Sequence, residues 1–198
     1  MKEIKKKTAY LSRWLHIYLS MVSFFILLFF AITGITLNHT EWFVDQQKTS
    51  TAKGKLTLEW VKGKDSTNVS KLEVVEYIRK KHGIGGAVSE FTSDEYQCTI
   101  SFNGPGYTAD VFVNREDGSY DISETRTGIF GIMNDLHKGR DSGKHWGILI
   151  DISAILMVVV SLTGLVMLFF LKKKRTAGVL LILLGTAISI LVYLIWVP

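Results

Sequence analysis

The sequence predicts a membrane α-helical protein, with three transmembrane helices and an inserted α+β extracytoplasmic domain, and three observations predict it. Three apolar blocks, 14–38, 146–171 and 177–198, are each long enough to cross a hydrocarbon core about 30 Å thick, which takes roughly 20 helical residues. Lys and Arg are densest before the first block and between the second and third, five in the leader and four at 172–175. Between the first two blocks, short alternating runs follow one amphipathic helix, the pattern of a small mixed domain.

The leader, 1–13, holds Lys2, Lys5, Lys6, Lys7 and Arg13, so the first block could pass for a secretory signal. Its apolar run is too long for that, and "AITGITLNH" offers no small-residue cleavage site, so it is expected to remain as an anchor. Short cytoplasmic flanks gather basic residues, which places the leader and the loop 172–176, with its "KKKR", in the cytoplasm. The segment 39–145 and the C-terminus then lie outside. The formal charge of +5 resolves into +8 on the cytoplasmic flanks, −2 over residues 40–144 and −1 at Asp151. The basic balance therefore reports topology and gives no ground for a nucleic-acid partner.

The outer domain spans 39–126. "KLTLEWV", 55–61, reads as a strand. "SKLEVVEYIRKKH", 70–82, has Ser70 and Glu73 at capping-box spacing, a stripe of Leu72, Val75 and Ile78, and a stop at Gly83, so it reads as a helix. "AVSEF", 87–91, supplies a strand. In "YQCTISFN", Tyr96, Cys98, Ile100 and Phe102 alternate with polar residues, and "GPG" turns the chain into "YTADVFVN" to close a hairpin. "EDG", 116–118, turns into "SYDIS". Cys98 is the one cysteine, so no intrachain disulfide and no thiolate metal cluster can form. The domain holds no activated nucleophile and no Gly-rich phosphate loop, and reads as a binding or positioning module.

Residues 127–145 are expected to form an interfacial helix and a basic turn. Ile129, Ile132, Met133 and Leu136 fall on one face, with Asn134, Asp135 and Lys138 opposite and His137 at the edge of the apolar face. In the second membrane block Asp151 lies about 9 Å deeper than His145, placed for a bond to Arg140, Lys144 or Asn38. "ITGI", 32–35, and "LTGL", 162–165, recur in two helices that cross in opposite directions. They read either as an inverted repeat or as close-packing steps whose Thr hydroxyls bond to backbone carbonyls.

"RWLHIYLSMVSFFILLFFAITGITLNH", 13–39, and "DLHKGRDSGKHWGILIDISAILMVVVSLTGLVML", 135–168, resemble the PepSY-associated transmembrane proteins, in particular their small three-helix branch. The domain between them looks like a PepSY domain. The resemblance covers nearly the whole chain, and D-L-H-K-G-R-D-S-G with the downstream S-L-T-G-L is its most specific part. It implies a bacterial inner (cytoplasmic) membrane location, with the PepSY-like domain periplasmic. Larger four-helix relatives are similar to haem-containing reductases for ferric siderophores, while soluble PepSY domains are associated with restraining peptidases. In a bacterial envelope the sequons Asn38-His39-Thr40 and Asn68-Val69-Ser70 are incidental.

The histidines are His16, His39, His82, His137 and His145. His16 and His39 stand about 34 Å apart along one helix and cannot share a site. His39, His137 and His145 all reach the outer face, where His39 with His137, or His39 with His145, could give a haem b its two axial imidazoles. Arg140 or Lys144 would then meet a propionate. The competing reading is that interfacial histidines bond to headgroups or helix ends. His16 has no cytoplasmic histidine partner, so an inner haem would need a neighbouring protomer or another subunit. His82 reads as a solvated partner of a helix dipole. No carboxylate joins the histidines at metal-ligand spacing, so no dedicated metal site is expected.

The function expected is an inner-membrane protein that binds haem b at its outer face and contributes to electron transfer in iron or siderophore reduction or uptake. As an enzyme it would be a ferric-siderophore-reductase-like component. Two alternatives stand beside this: a membrane-anchored interaction module acting on a peptidase or envelope partner, and an accessory subunit of a larger membrane complex. The partners expected are the lipid bilayer, a second copy or a membrane complex, and a ferric siderophore.

Overall fold

The computed structural model describes residues 2–62 and 69–198. The asparagine of the second sequon, Asn68, lies outside the described residues. The chain divides into two compact units, Met1–Leu28 with Asp151–Pro198, and Phe29–Ile150.

Among the described residues three helices are long and apolar enough to cross a membrane: α1 (Lys2–Asn38), α5 (Gly143–Phe170) and α6 (Arg175–Trp196). In the first unit the buried helix residues are small and hydroxylic: Ser12, Ser23 and Ser153. Helices in lipid gain no hydrophobic drive from one another, and small residues let their backbones approach for van der Waals contact. Gly178 of α6 lies directly against Leu168 of α5, and no residue of α6 is buried.

The second unit is built on a five-stranded antiparallel sheet, ordered β1-β5-β4-β3-β2, from β1 (Lys48–Lys55), β2 (Ala87–Ser93), β3 (Gln97–Gly104), β4 (Tyr107–Asn114) and β5 (Ser119–Arg126). The helices α2 (Leu58–Lys62) and α3 (Lys71–His82) contribute to the core beneath one face of it. Along β3 alternate residues Cys98, Ile100 and Phe102 point inward and meet Val74, Val75 and Ile78 of α3, Val61 of α2, and Val111 and Val113 of β4. The period-2 pattern of the strands and the period-3.6 pattern of the helix thus bury one continuous cluster. The β3–β4 connection is Pro105-Gly106, with Gly106 at φ +69, the residue order and positive φ that a type II turn uses.

Four expectations are corrected. The strand predicted over 55–61 is not there: β1 ends at Lys55, and Leu58–Lys62 coils into α2, whose Trp60 N–H bonds to the Thr57 carbonyl. The buried residues are Leu56 and Val61, an odd spacing that a strand would send to opposite faces. Tyr96 lies in the β2–β3 turn and is exposed, because Asp94 accepts hydrogen bonds from the Tyr96 and Gln97 N–H groups and closes the turn there. The Ser70 side chain makes no capping bond, although Gly83 does end α3 in the left-handed conformation at φ +66. Leu72 is 70% exposed, and the stripe of α3 that faces the sheet is Val74, Val75 and Ile78.

α4 (Ile129–Lys138) follows the sheet and ends at Gly139, φ +70. Its polar face is the buried one. Asn134 and Asp135 are its most buried residues, at 8% and 5% exposure, whereas Ile129 is 63% exposed. Burying an amide and a carboxylate is costly unless each is bonded, and both are.

Candidate functional site

The carbonyl of Phe29 accepts the Thr33 hydroxyl proton at 2.6 Å, the usual resting place of a threonine inside a helix. Thr33 Oγ1 also lies 2.6 Å from Nδ1 of His137, and with its proton on the Phe29 carbonyl it accepts from Nδ1–H. That arrangement makes His137 the Nδ1–H tautomer, whose Nε2 carries a lone pair. The ring stands edge-on to Phe30, with centroids 5.0 Å apart, and its Cε1 passes over Gly34. Burial, and then the charge of Lys138, hold its pKa below the usual imidazole value, which favours the neutral ring.

One turn earlier on α4 the pattern repeats. The Thr36 hydroxyl donates to Asn134 Oδ1 at 2.6 Å, and Asn134 Nδ2 donates to the Thr36 carbonyl at 3.4 Å. Thr36 with Asn134 and Thr33 with His137 make two rungs, so α4 runs antiparallel to the end of α1 with polar contacts between them. Asp135 faces elsewhere: Oδ2 accepts the Gly106 N–H at 2.8 Å, and Oδ1 pairs with Arg140 Nη2 at 2.6 Å. The indole N–H of Trp146 donates to the Leu136 carbonyl at 2.7 Å.

The remaining predicted residues have separate settings. His39 Nδ1 lies 3.1 Å from Glu41 Oε1, and the ring lies flat on Trp42 at 4.0 Å. The Glu41 carboxyl is held below its usual range, first by its own backbone N–H and then by His39. His145 and Lys144 are exposed, and Arg140 takes Asp135 as its carboxylate in place of Asp151. Among the described residues no ring contact joins two histidines, and no group of three or more His, Cys, Asp and Glu could hold a metal ion. His82 is not a free dipole partner: its Nε2 hydrogen-bonds the buried Tyr120 hydroxyl at 2.8 Å.

In the other unit His16 Nδ1 lies 3.0 Å from the Val160 carbonyl and 3.2 Å from Thr163 Oγ1, whose proton goes to Val159 or Val160. A Cβ on Gly164 would stand 3.1 Å from the His16 ring. Each Thr-Gly step thus receives one histidine edge, with Nδ1 anchored and Nε2 open. Sequence reasoning noted the steps and expected their hydroxyl-to-carbonyl bonds, but it did not pair them with histidines. The signal it missed was Thr33 and Thr36 at i, i+3, facing Asn134 and His137 at the same spacing.

A family model, PepSY_TM_like_2, described as PepSY_TM-like, matches residues 10–198. No curated protein and no solved structure matches the chain.

Proposed function

This chain belongs to the PepSY_TM-like family, and from that premise we propose that it is a haem-binding component of membrane electron transfer, acting in the reduction or uptake of ferric siderophores. The observation that carries the reading is His137, whose Nδ1–H is fixed on Thr33 while a neutral Nε2 is left free. Histidines that ligate metals are held in this way, by a bond that selects the tautomer and raises the basicity of the ligand nitrogen. In this reading His137 would hold a haem b together with His39 or His145, and Lys144 or the outer edge of Arg140 would meet a propionate. His16, anchored by the same device, would serve the inner side with a ligand from a second copy or a partner complex.

When bound, haem supplies one-electron chemistry at a potential set by its ligands and their burial. The chain's own part is to hold the imidazole tautomer and turn the ring edge-on to Phe30. The reading places the protein in a bacterial inner membrane, with the leader cytoplasmic and the sheet domain periplasmic.

The test is the visible spectrum of detergent-purified protein from cells given a haem precursor, before and after dithionite. The expected result is a Soret band that shifts on reduction, with sharp α and β bands, and loss of most of the haem in His137→Ala. A featureless spectrum overturns the reading.

A second reading, a non-enzymatic interaction module, is favoured by the outer sheet. There Phe112 and Tyr96 are exposed beside Lys62, Glu95, Glu116 and Asp121 along one groove. Cross-linking that captures a stable envelope partner in a protein without a chromophore would support it.

A further inference from the structure

We infer that Asp135 is the positioning residue for His137, and that it acts by fastening α4 to the β3–β4 turn of the outer sheet. The inference rests on the reading of His137 as a ligand and assigns what sets its place.

An ionised carboxylate that is 5% exposed must be compensated, and Asp135 takes its two strongest donors from opposite directions in the chain. The Gly106 N–H comes from 29 residues upstream, at the tip of the hairpin, and Arg140 from the turn just beyond α4. The hairpin tip is held a second time. Its Gly106 carbonyl accepts from the Thr127 N–H at 2.8 Å and from the Thr127 hydroxyl at 3.1 Å, immediately before α4 begins. The approach is close: a Cβ at Gly106 would stand 2.8 Å from Thr127 Oγ1 and would overlap the Ile132 side chain.

Asp135 and His137 are two residues apart, about 200° around the helix. The carboxylate therefore anchors one side of α4 to the sheet while the imidazole and Asn134 meet α1 on another. A helix of ten residues fixed on two sides cannot rotate without breaking one set of bonds. The Nδ1–H···O contact of 2.6 Å, one of the shortest in the unit, requires that orientation. Freed from the turn, α4 can swing, the ring leaves Thr33, and the preference for Nδ1–H disappears.

The experiment compares the full-length wild type with Asp135→Asn and Asp135→Ala in detergent at pH 8, where the imidazole is neutral. Two quantities are read: the ¹⁵N shifts of the His137 ring, which distinguish its tautomers, and hydrogen exchange at the Gly106 amide. Neither requires haem. Thr33→Val serves as the positive control and must itself shift the tautomer balance. The expected result is one Nδ1–H tautomer in the wild type and comparable populations of the two in the variants, with Gly106 exchange faster by about tenfold as a charge-assisted bond becomes a neutral one. If Asp135→Ala does not fold, the nearly isosteric Asp135→Asn decides. Faster Gly106 exchange with an unchanged His137 tautomer overturns the inference, as does no change in either. A featureless haem spectrum would defeat the ligand reading and leave the tautomer comparison standing by itself.

Discussion

At the scale of single residues, the site turns on polar groups that look ordinary in the sequence. The edge position of His137 could be read from its spacing after Met133. The burial of Asn134 and Asp135 could not, because what compensates them lies 98 and 29 residues away, in Thr36 and Gly106. A polar side chain on a helix is assigned to water by default, and only the partner's position reverses that. The setting of His137 also fixes a pH dependence in the haem-free protein. Its folded pKa lies below the ordinary 6.5, so between the two values the unfolded chain binds more protons than the folded one. Stability from this group is therefore complete above about pH 6.5 and is lost as the pH falls through the folded pKa. His137→Gln should flatten that acid limb, as seen in thermal midpoints of both proteins between pH 8 and 5. An unchanged limb would place the acid sensitivity elsewhere.

At the scale of elements, legibility followed the strength of the pattern. β3, β4 and α3 alternate or repeat clearly, and their turns carry Pro105-Gly106, Gly118 and Gly83, so they were readable within a residue or two. β1 was not: "KTSTAKGK" has no apolar face, because it is an edge strand exposed on nearly all of its length. Gly54 within it gives the only hint, since any side chain there would overlap the Tyr120 hydroxyl. The two Thr-Gly steps are alike in sequence and differ in tightness. At Gly164 an added Cβ would sit 3.1 Å from the His16 ring, and at Gly34 it would sit 3.9 Å from the His137 ring. Gly164→Ala should accordingly displace His16 and weaken its bond to Val160, at a cost of about 1 kcal/mol, while Gly34→Ala should be nearly neutral. Thermal stability of the two variants in detergent, with ¹⁵N ring shifts of both histidines, checks the ordering. Equal behaviour would mean that the backbones shift to absorb the methyl.

At the scale of the whole molecule, three long apolar helices and the antiparallel meander β2 to β5 were both legible, because each expresses one dominant force over many residues. What was less legible is which side chains settle the packing. The buried residues of the first unit are serines, which carry no hydropathy signal. Orientation is predicted by charge alone: the basic leader and Lys172–Arg175 should face the cytoplasm. A cysteine placed at Lys173 should react with a membrane-impermeant maleimide only after the cytoplasmic face is opened, and one at Ser89 should react in intact spheroplasts. The reverse pattern would invert the topology.

Such labelling has little background, because the chain's own thiol is sealed in. Cys98 is 1% exposed beneath the sheet, with the Ser93 hydroxyl 3.2 Å from its sulfur. A reagent can reach that sulfur only in the moments when β3 opens to solvent. The slow alkylation of Cys98 in an otherwise untouched membrane is thus a clock for the opening of the sheet domain, already present in the chain and requiring no substitution.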